Sequence, residues 1–161
     1  MSPCLEIYGC KRDGKCVIKD DFGDVEALLR KVDGLMLASP IFFYAVSAHT
    51  KILMDRCNSL WVQKYWIDKH PFGSDAYSKK GLFITVGSTK GRKLFDGAIL
   101  SVRYFMDALD MALWKTIVGR GMDAEDAVTG RPEMLAEAYD AGRDLVQALR
   151  EDRQNSPSET G

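Results

Sequence analysis

Short runs that are apolar on both sides punctuate this chain, and they constrain its fold more than any other feature. The clearest is Gly34-Leu35-Met36-Leu37-Ala38, bounded by Asp33 and by Ser39-Pro40. A run this short without polar alternation suits a strand covered on both faces, as in a parallel sheet. Pro40 cannot donate a ladder hydrogen bond, so the strand is predicted to stop there. Gly81 to Val86 and Ala112 to Val118 read as two further strands. Between them lie stretches with helical spacing. Phe22, Val25, Leu28, Leu29 and Val32 mark a helix opened by Asp20 and Asp21 and ending near Lys31. Ser47 is placed to cap a helix over about 48–58. Phe95, Ala98, Ile99, Val102, Phe105, Met106 and Leu109 stripe a helix over 94–109. Pro132 suits the first turn of a last helix reaching about residue 150.

Helix and strand therefore alternate, which implies parallel strands joined by right-handed crossovers in an α/β layered fold. The 161 residues fit one domain over 1–150, followed by a mobile polar tail over 151–161 that lacks an apolar anchor. Residues 4–16 read as loop, and residues 59–80 as irregular and aromatic. The charge balance, 22 basic against 23 acidic residues, gives no general attraction to nucleic acid or to anionic membranes. No apolar stretch approaches membrane-spanning length. The amino-terminal residues carry no leader pattern, and the four cysteines are too few for a secreted scaffold, so the expectation is a cytoplasmic protein with reduced thiols.

Ligands of such sheets lie beyond the carboxyl ends of the strands. The first end is Ser39-Pro40-Ile41-Phe42-Phe43-Tyr44, whose consecutive aromatics offer π faces to a flat ligand. The same residues also suit a loop folded onto its own core or onto a partner subunit. The second end is Gly87-Ser88-Thr89-Lys90-Gly91, followed by Arg92 and Lys93. Its glycines permit close backbone approach, and its hydroxyls and amides can bond carbonyls or phosphate; a plain solvated turn fits as well. Neither a Walker A motif nor GxGxxG is present. His49 and His70 have no metal-ligand spacing, and no Ser/His/Asp nucleophile context is found.

The run from Asp33 through Ser39-Pro40-Ile41-Phe42-Phe43-Tyr44 to Ala48, followed by Lys51 and Asp55-Arg56, resembles the NAD(P)H-dependent FMN reductases. Within that family it looks like the iron–sulfur flavoprotein branch, because Gly14 to Asp21 is similar to the segment those proteins carry after their cysteine motif. The resemblance implies a flavodoxin-like three-layer fold with a parallel sheet. It implies FMN bound by Ser39, Pro40, Ile41, Phe42, Phe43 and Tyr44 along one side of the ring and by Gly87, Ser88, Thr89, Lys90 and Gly91 along the other. It implies NAD(P)H as co-substrate, an acceptor the sequence does not name, and a homodimer or tetramer to which Leu60–Ile67 contributes contacts. No acid–base residue is required for hydride transfer, and none is assigned. Where the family has a small residue, this chain has Tyr44.

Two departures accompany the resemblance. The family opens with a strand, a phosphate-binding loop, a helix and a second strand. This chain opens at the cysteine segment, so the N-terminal βαβ unit is expected to be absent. Three explanations follow: a start lying upstream, a second chain filling the gap, or a protein that no longer uses FMN. The last two point to a competing role as a non-catalytic or partner-dependent electron-transfer or assembly subunit. In the cysteine segment, the four family ligand positions fall on Cys4, Ile7, Cys10 and Cys16. Ile7 cannot ligate iron, so an iron–sulfur cluster is not expected.

Overall fold

The computed structural model describes residues 1–74 and 77–155. Its elements are α1 (Cys10–Asp13), α2 (Phe22–Lys31), β1 (Gly34–Phe42), β2 (Ala45–Val46), α3 (Ala48–Arg56), α4 (Asn58–Val62), β3 (Lys79–Gly87), α5 (Asp96–Ala108), β4 (Met111–Arg120) and α6 (Pro132–Asn155). The sheet order is β2-β1-β3-β4. β1, β3 and β4 are parallel, and β2 is antiparallel to the end of β1.

Residues of opposite parity on each strand face opposite layers. Leu37 and Phe83 join Phe22, Leu29, Ala98, Val102, Phe105 and Met106 in the larger core, beneath α2 and α5. Leu82 and Ile117 join Ala141 and Leu145 beneath α6 on the other face. Helices thus cover both faces, as the alternation predicts. At Gly81 the ladder with β4 shifts by one residue, skipping Trp114. A Cβ on Gly81 would lie 2.5 Å from Met106 Sδ, so glycine here lets the Met106 side chain of α5 lie directly on the strand.

Several expectations are corrected. β1 does not stop at Pro40 but continues to Phe42. Proline is tolerated there because its missing N–H points away from β3, where no ladder bond is lost. The segment after Cys57 begins more regularly than expected: α4 runs into a single π-helical turn, Gln63–Ile67, before the chain turns irregular at Asp68. The cysteine stretch contains the short α1. The last helix extends to Asn155, so 151–155 belong to α6 rather than to a tail, anchored by the Arg153–Asp33 and Lys80–Asp152 ion pairs. The rest of the expected tail, 156–161, lies outside the described residues. Among the described residues, no helix is long and apolar enough to cross a membrane.

Candidate active site

The two strand ends read from the sequence lie side by side, because β1 and β3 are parallel neighbours paired up to Pro40 and Val86. The first is a tight hairpin rather than a loop. Ile41 and Phe42 pair with Val46 and Ala45, leaving Phe43 and Tyr44 as a two-residue turn. Both have positive φ, 50° and 63°, the type I′ geometry that matches strand twist and normally selects Asn-Gly. Side chains at both positions are strained. Phe43 is fully exposed at the tip, and Phe42 and Tyr44 are more than half exposed. An Asn-Gly turn in place of Phe43-Tyr44 is expected to stabilise the fold by about 1–2 kcal/mol, since each bulky residue resists this conformation. A thermal melt checks this; an unchanged or lower midpoint would contradict it.

Buried Ser39 braces the hairpin from below. Its Oγ accepts the Ser47 N–H at 2.9 Å and donates to the Pro40 carbonyl at 3.0 Å. Ser47 then caps α3, its Oγ accepting the Thr50 N–H at 3.4 Å. α5 approaches the turn through Gly97, where a Cβ would lie 2.9 Å from the Tyr44 carbonyl oxygen.

The Gly87–Gly91 loop is held from the β4 side. The Gly87 carbonyl accepts the Met122 N–H at 3.1 Å, and the Thr89 carbonyl accepts the Gly121 N–H at 3.2 Å. Arg120 stacks over Phe95, centred 4.8 Å from the ring, and donates to the Gly91 and Arg92 carbonyls at 3.4 and 3.1 Å. With those carbonyls engaged, Ser88, Thr89 and Lys90 stand exposed. The two ends meet at Tyr44, whose Oη lies 3.7 Å from a Cβ built on Gly91, and at Ile41, whose Cβ lies 3.5 Å from one built on Gly87. His49 lies exposed in the first turn of α3, below the hairpin.

The two ends thus stand together at the carboxyl ends of β1 and β3: exposed aromatic side chains on the hairpin, a glycine-containing loop beside it, and exposed Lys90, Arg92 and Lys93 following. Ser39 differs from the other expected residues. Buried and with its hydroxyl engaged, it serves through the hairpin it positions.

Two polar networks escaped sequence reading. Arg56, fully buried, donates to both carboxylate oxygens of Asp20 at 2.8 and 3.0 Å, to the Ser2 carbonyl at 2.9 Å and to Cys16 Sγ at 3.4 Å. It stacks over Phe22 at 4.5 Å. At the opposite end of the sheet from these carboxyl ends, Asp107 accepts from Tyr65 at 2.8 Å, Tyr77 at 2.9 Å and Lys64 at 3.2 Å. Burial, then the Asp107 carboxylate, raises the Tyr65 hydroxyl, which keeps it a donor. The only available signal was an isolated charge inside an otherwise apolar helical stripe, which sequence alone does not pair with a partner.

Among the described residues, no group of three or more His, Cys, Asp or Glu is placed to hold a metal. The Cys10 thiol is raised, mainly by burial and then by neighbouring Cys16 and Cys4. Cys57 is buried and pushed up to about 12 by desolvation, an inert packing thiol. The aromatic segment packs on itself: Trp61 lies 5.4 Å from Tyr65, and Tyr65 stacks on Phe72 at 4.4 Å.

Relatives of the chain include an iron–sulfur flavoprotein of Methanocaldococcus jannaschii, 33% identical over 90 residues. Another, from Archaeoglobus fulgidus, is 35% identical over 65 residues. These matches cover 56% and 40% of this chain but 42% and 33% of the relatives, so the chain spans less than half the length of the curated relatives it matches. Among solved structures, the Trp repressor binding protein of Bacillus subtilis superposes with a TM-score of 0.53 at 19% identity, covering 74% of this chain and 69% of that one. A flavone reductase superposes with a TM-score of 0.54 at 16% identity, covering 83% and 48%. These likenesses show a flavodoxin-like fold. The profile of the family described as NADPH-dependent FMN reductase matches residues 2–116, and the chain therefore belongs to that family.

Proposed function

We propose that the chain is the ring-binding part of an FMN-dependent oxidoreductase that takes electrons from NAD(P)H and passes them to an acceptor. The observation that carries this reading is the meeting of an aromatic hairpin and a glycine loop at the carboxyl ends of two parallel strands. Family membership and the flavoprotein names of the relatives support it. When bound, the flavin supplies the redox chemistry, accepting a hydride and releasing electrons.

The chain's own residues bind and orient. Main-chain groups of Ser88 to Gly91 would hold the ring edge of a bound flavin, and the nearby Lys90, Arg92 and Lys93 would favour negative charge on it. Phe42, Phe43 and Tyr44 cover one wall and limit the face open to a nicotinamide. Ser39 holds the hairpin at the spacing its hydroxyl bonds set. Pro40 and Ile41 carry the strand into the turn.

FMN titrated into the purified protein is expected to lose fluorescence with a saturable midpoint, and NAD(P)H is expected to bleach the yellow complex. Absence of saturation in excess FMN would overturn the reading.

A further inference from the structure

Positive charge gathers where β3 and β4 end, on the side of the Gly87–Gly91 loop away from the hairpin. Neighbouring residues of that loop face opposite ways. Gly91 meets the Tyr44 hydroxyl, whereas Lys90 reaches over Gly121, just past the end of β4. Gly121 has a φ of 69°, a conformation that favours glycine. A Cβ built on it would lie 3.2 Å from Lys90 Cε and 3.5 Å from Arg131 Nη2. Glycine thus lets two cationic side chains converge on one point. Arg120, the preceding residue, adds a third charge, held in place by Phe95 and by the Gly91 and Arg92 carbonyls.

Both converging residues are fixed through their backbones. The Gly121 N–H donates to the Thr89 carbonyl at 3.2 Å, which ties the Lys90 loop to the end of β4. The Arg131 N–H donates to the Val128 carbonyl at 3.0 Å, and its carbonyl accepts from Met134 and Leu135, so α6 starts from Arg131. Among the described residues, neither the Lys90 ammonium nor the Arg131 guanidinium has a hydrogen-bond or ion-pair partner. Carboxylates are close in sequence at Asp123, Glu125, Asp126 and Glu133, but all are exposed and none pairs with either cation. Two like charges held together without a counter-ion repel each other, and an anion between them removes that cost.

We infer that Lys90 and Arg131 bind a phosphate monoester carried by a small molecule. A monoester bears nearly two negative charges at neutral pH, which matches two cations, and its three terminal oxygens suit a guanidinium fork together with an ammonium. A carboxylate supplies one charge and two oxygens. The exposed acidic run over 123–126 borders the site and repels a long polyanion such as a nucleic-acid strand. Only Gly91 separates Lys90 from the contact with Tyr44, so the phosphate belongs to a ligand that also reaches the hairpin. The proposed reaction has two such phosphates, the 5′-phosphate of FMN and the 2′-phosphate of NADPH. The cation pair does not rest on the flavin reading; only the choice between these two sources does.

Two ligand pairs, each differing by one phosphate monoester, test the site by calorimetric titration of the whole protein: FMN against riboflavin, and adenosine 2′-monophosphate against adenosine. In one of the pairs the phosphorylated member is expected to bind about tenfold more tightly or better. Arg131→Gln should remove that preference, keep the affinity for the unphosphorylated member, and leave the melting midpoint of the empty protein unchanged or slightly raised. Lys90→Gln should reduce the preference as well. A preference for FMN assigns the site to the flavin phosphate. A preference for adenosine 2′-monophosphate assigns it to NADPH, and the KM for NADPH should then lie below that for NADH until Arg131→Gln equalises them. No preference in either pair, or a preference that survives both substitutions, would overturn the inference. If neither FMN nor riboflavin binds, the flavin reading fails alone, because the adenosine pair contains no flavin.

Discussion

Replacing Arg56 with methionine is expected to destabilise the fold by about 1.5–3 kcal/mol, the range for hydrogen bonds to a charged group, because Arg56 is buried while the Asp20 carboxylate it leaves behind keeps access to water. Arg56 ties together three parts of the chain that have little else in common: the Ser2 segment, Asp20 before α2, and the end of α3. Without the guanidinium, the Asp20 carboxylate and the Ser2 carbonyl lose their strongest donor, and Phe22 loses the cation stacked on it. Methionine keeps most of the volume, so the loss is one of charge and hydrogen bonding. Urea unfolding should show a lower midpoint with an unchanged slope. A loss below about 1 kcal/mol would mean that the pair contributes no more than an exposed one.

The same pair sets a pH dependence. Arg56 first, and the Ser2 N–H next, hold the Asp20 carboxyl well below its ordinary 3.8. The native state therefore binds fewer protons than the unfolded chain just below that value. Stability from this site is fully present above pH 3.8 and is lost as the pH falls toward the native value. Asp20→Asn removes the contribution at neutral pH together with its acid dependence. The stability gap between wild type and variant should shrink below that pH.

Gly87→Leu is expected to abolish flavin retention. A Cβ there lies 2.8 Å from the buried Leu94 side chain and 3.5 Å from Ile41 Cβ. A larger side chain would wedge the β3 end away from the hairpin, and overpacking of this kind costs about 1–3 kcal/mol. Gly91→Ala is the control. Its Cβ meets Tyr44 Oη at 3.7 Å, an ordinary contact, so thermal stability should not change. A Gly87→Leu protein that remains folded by circular dichroism and binds FMN like wild type would show that the ring lies elsewhere.

Much of this architecture was legible because it rests on local chemistry. The runs at Gly34 and Gly81 form parallel strands where two-sided apolarity places them, and the stripe from Ala98 to Met106 is the buried face of α5. The Ser47 cap is an interaction between residues three apart, so its pattern lies within a few letters. The hairpin was not legible: Phe43-Tyr44 carries no turn signal, and its positive φ angles are imposed by the pairing of Ile41 with Val46 and by the approach of α5 at Gly97. Pro40 misled for a related reason. Whether a proline ends a strand depends on which way its missing N–H would point, and only the register of β1 on β3 sets that.

The amino-acid sequence by itself determined the alternation of layers, which runs become parallel strands and the resemblance to the family, because periodicity and short motifs are properties of neighbouring residues. Tertiary structure alone decided where the strands end, what those ends become and which buried charges find partners. Each of these depends on groups far apart in the chain, such as Arg56 and Asp20 or Tyr44 and Gly91, being brought within a few ångströms of each other.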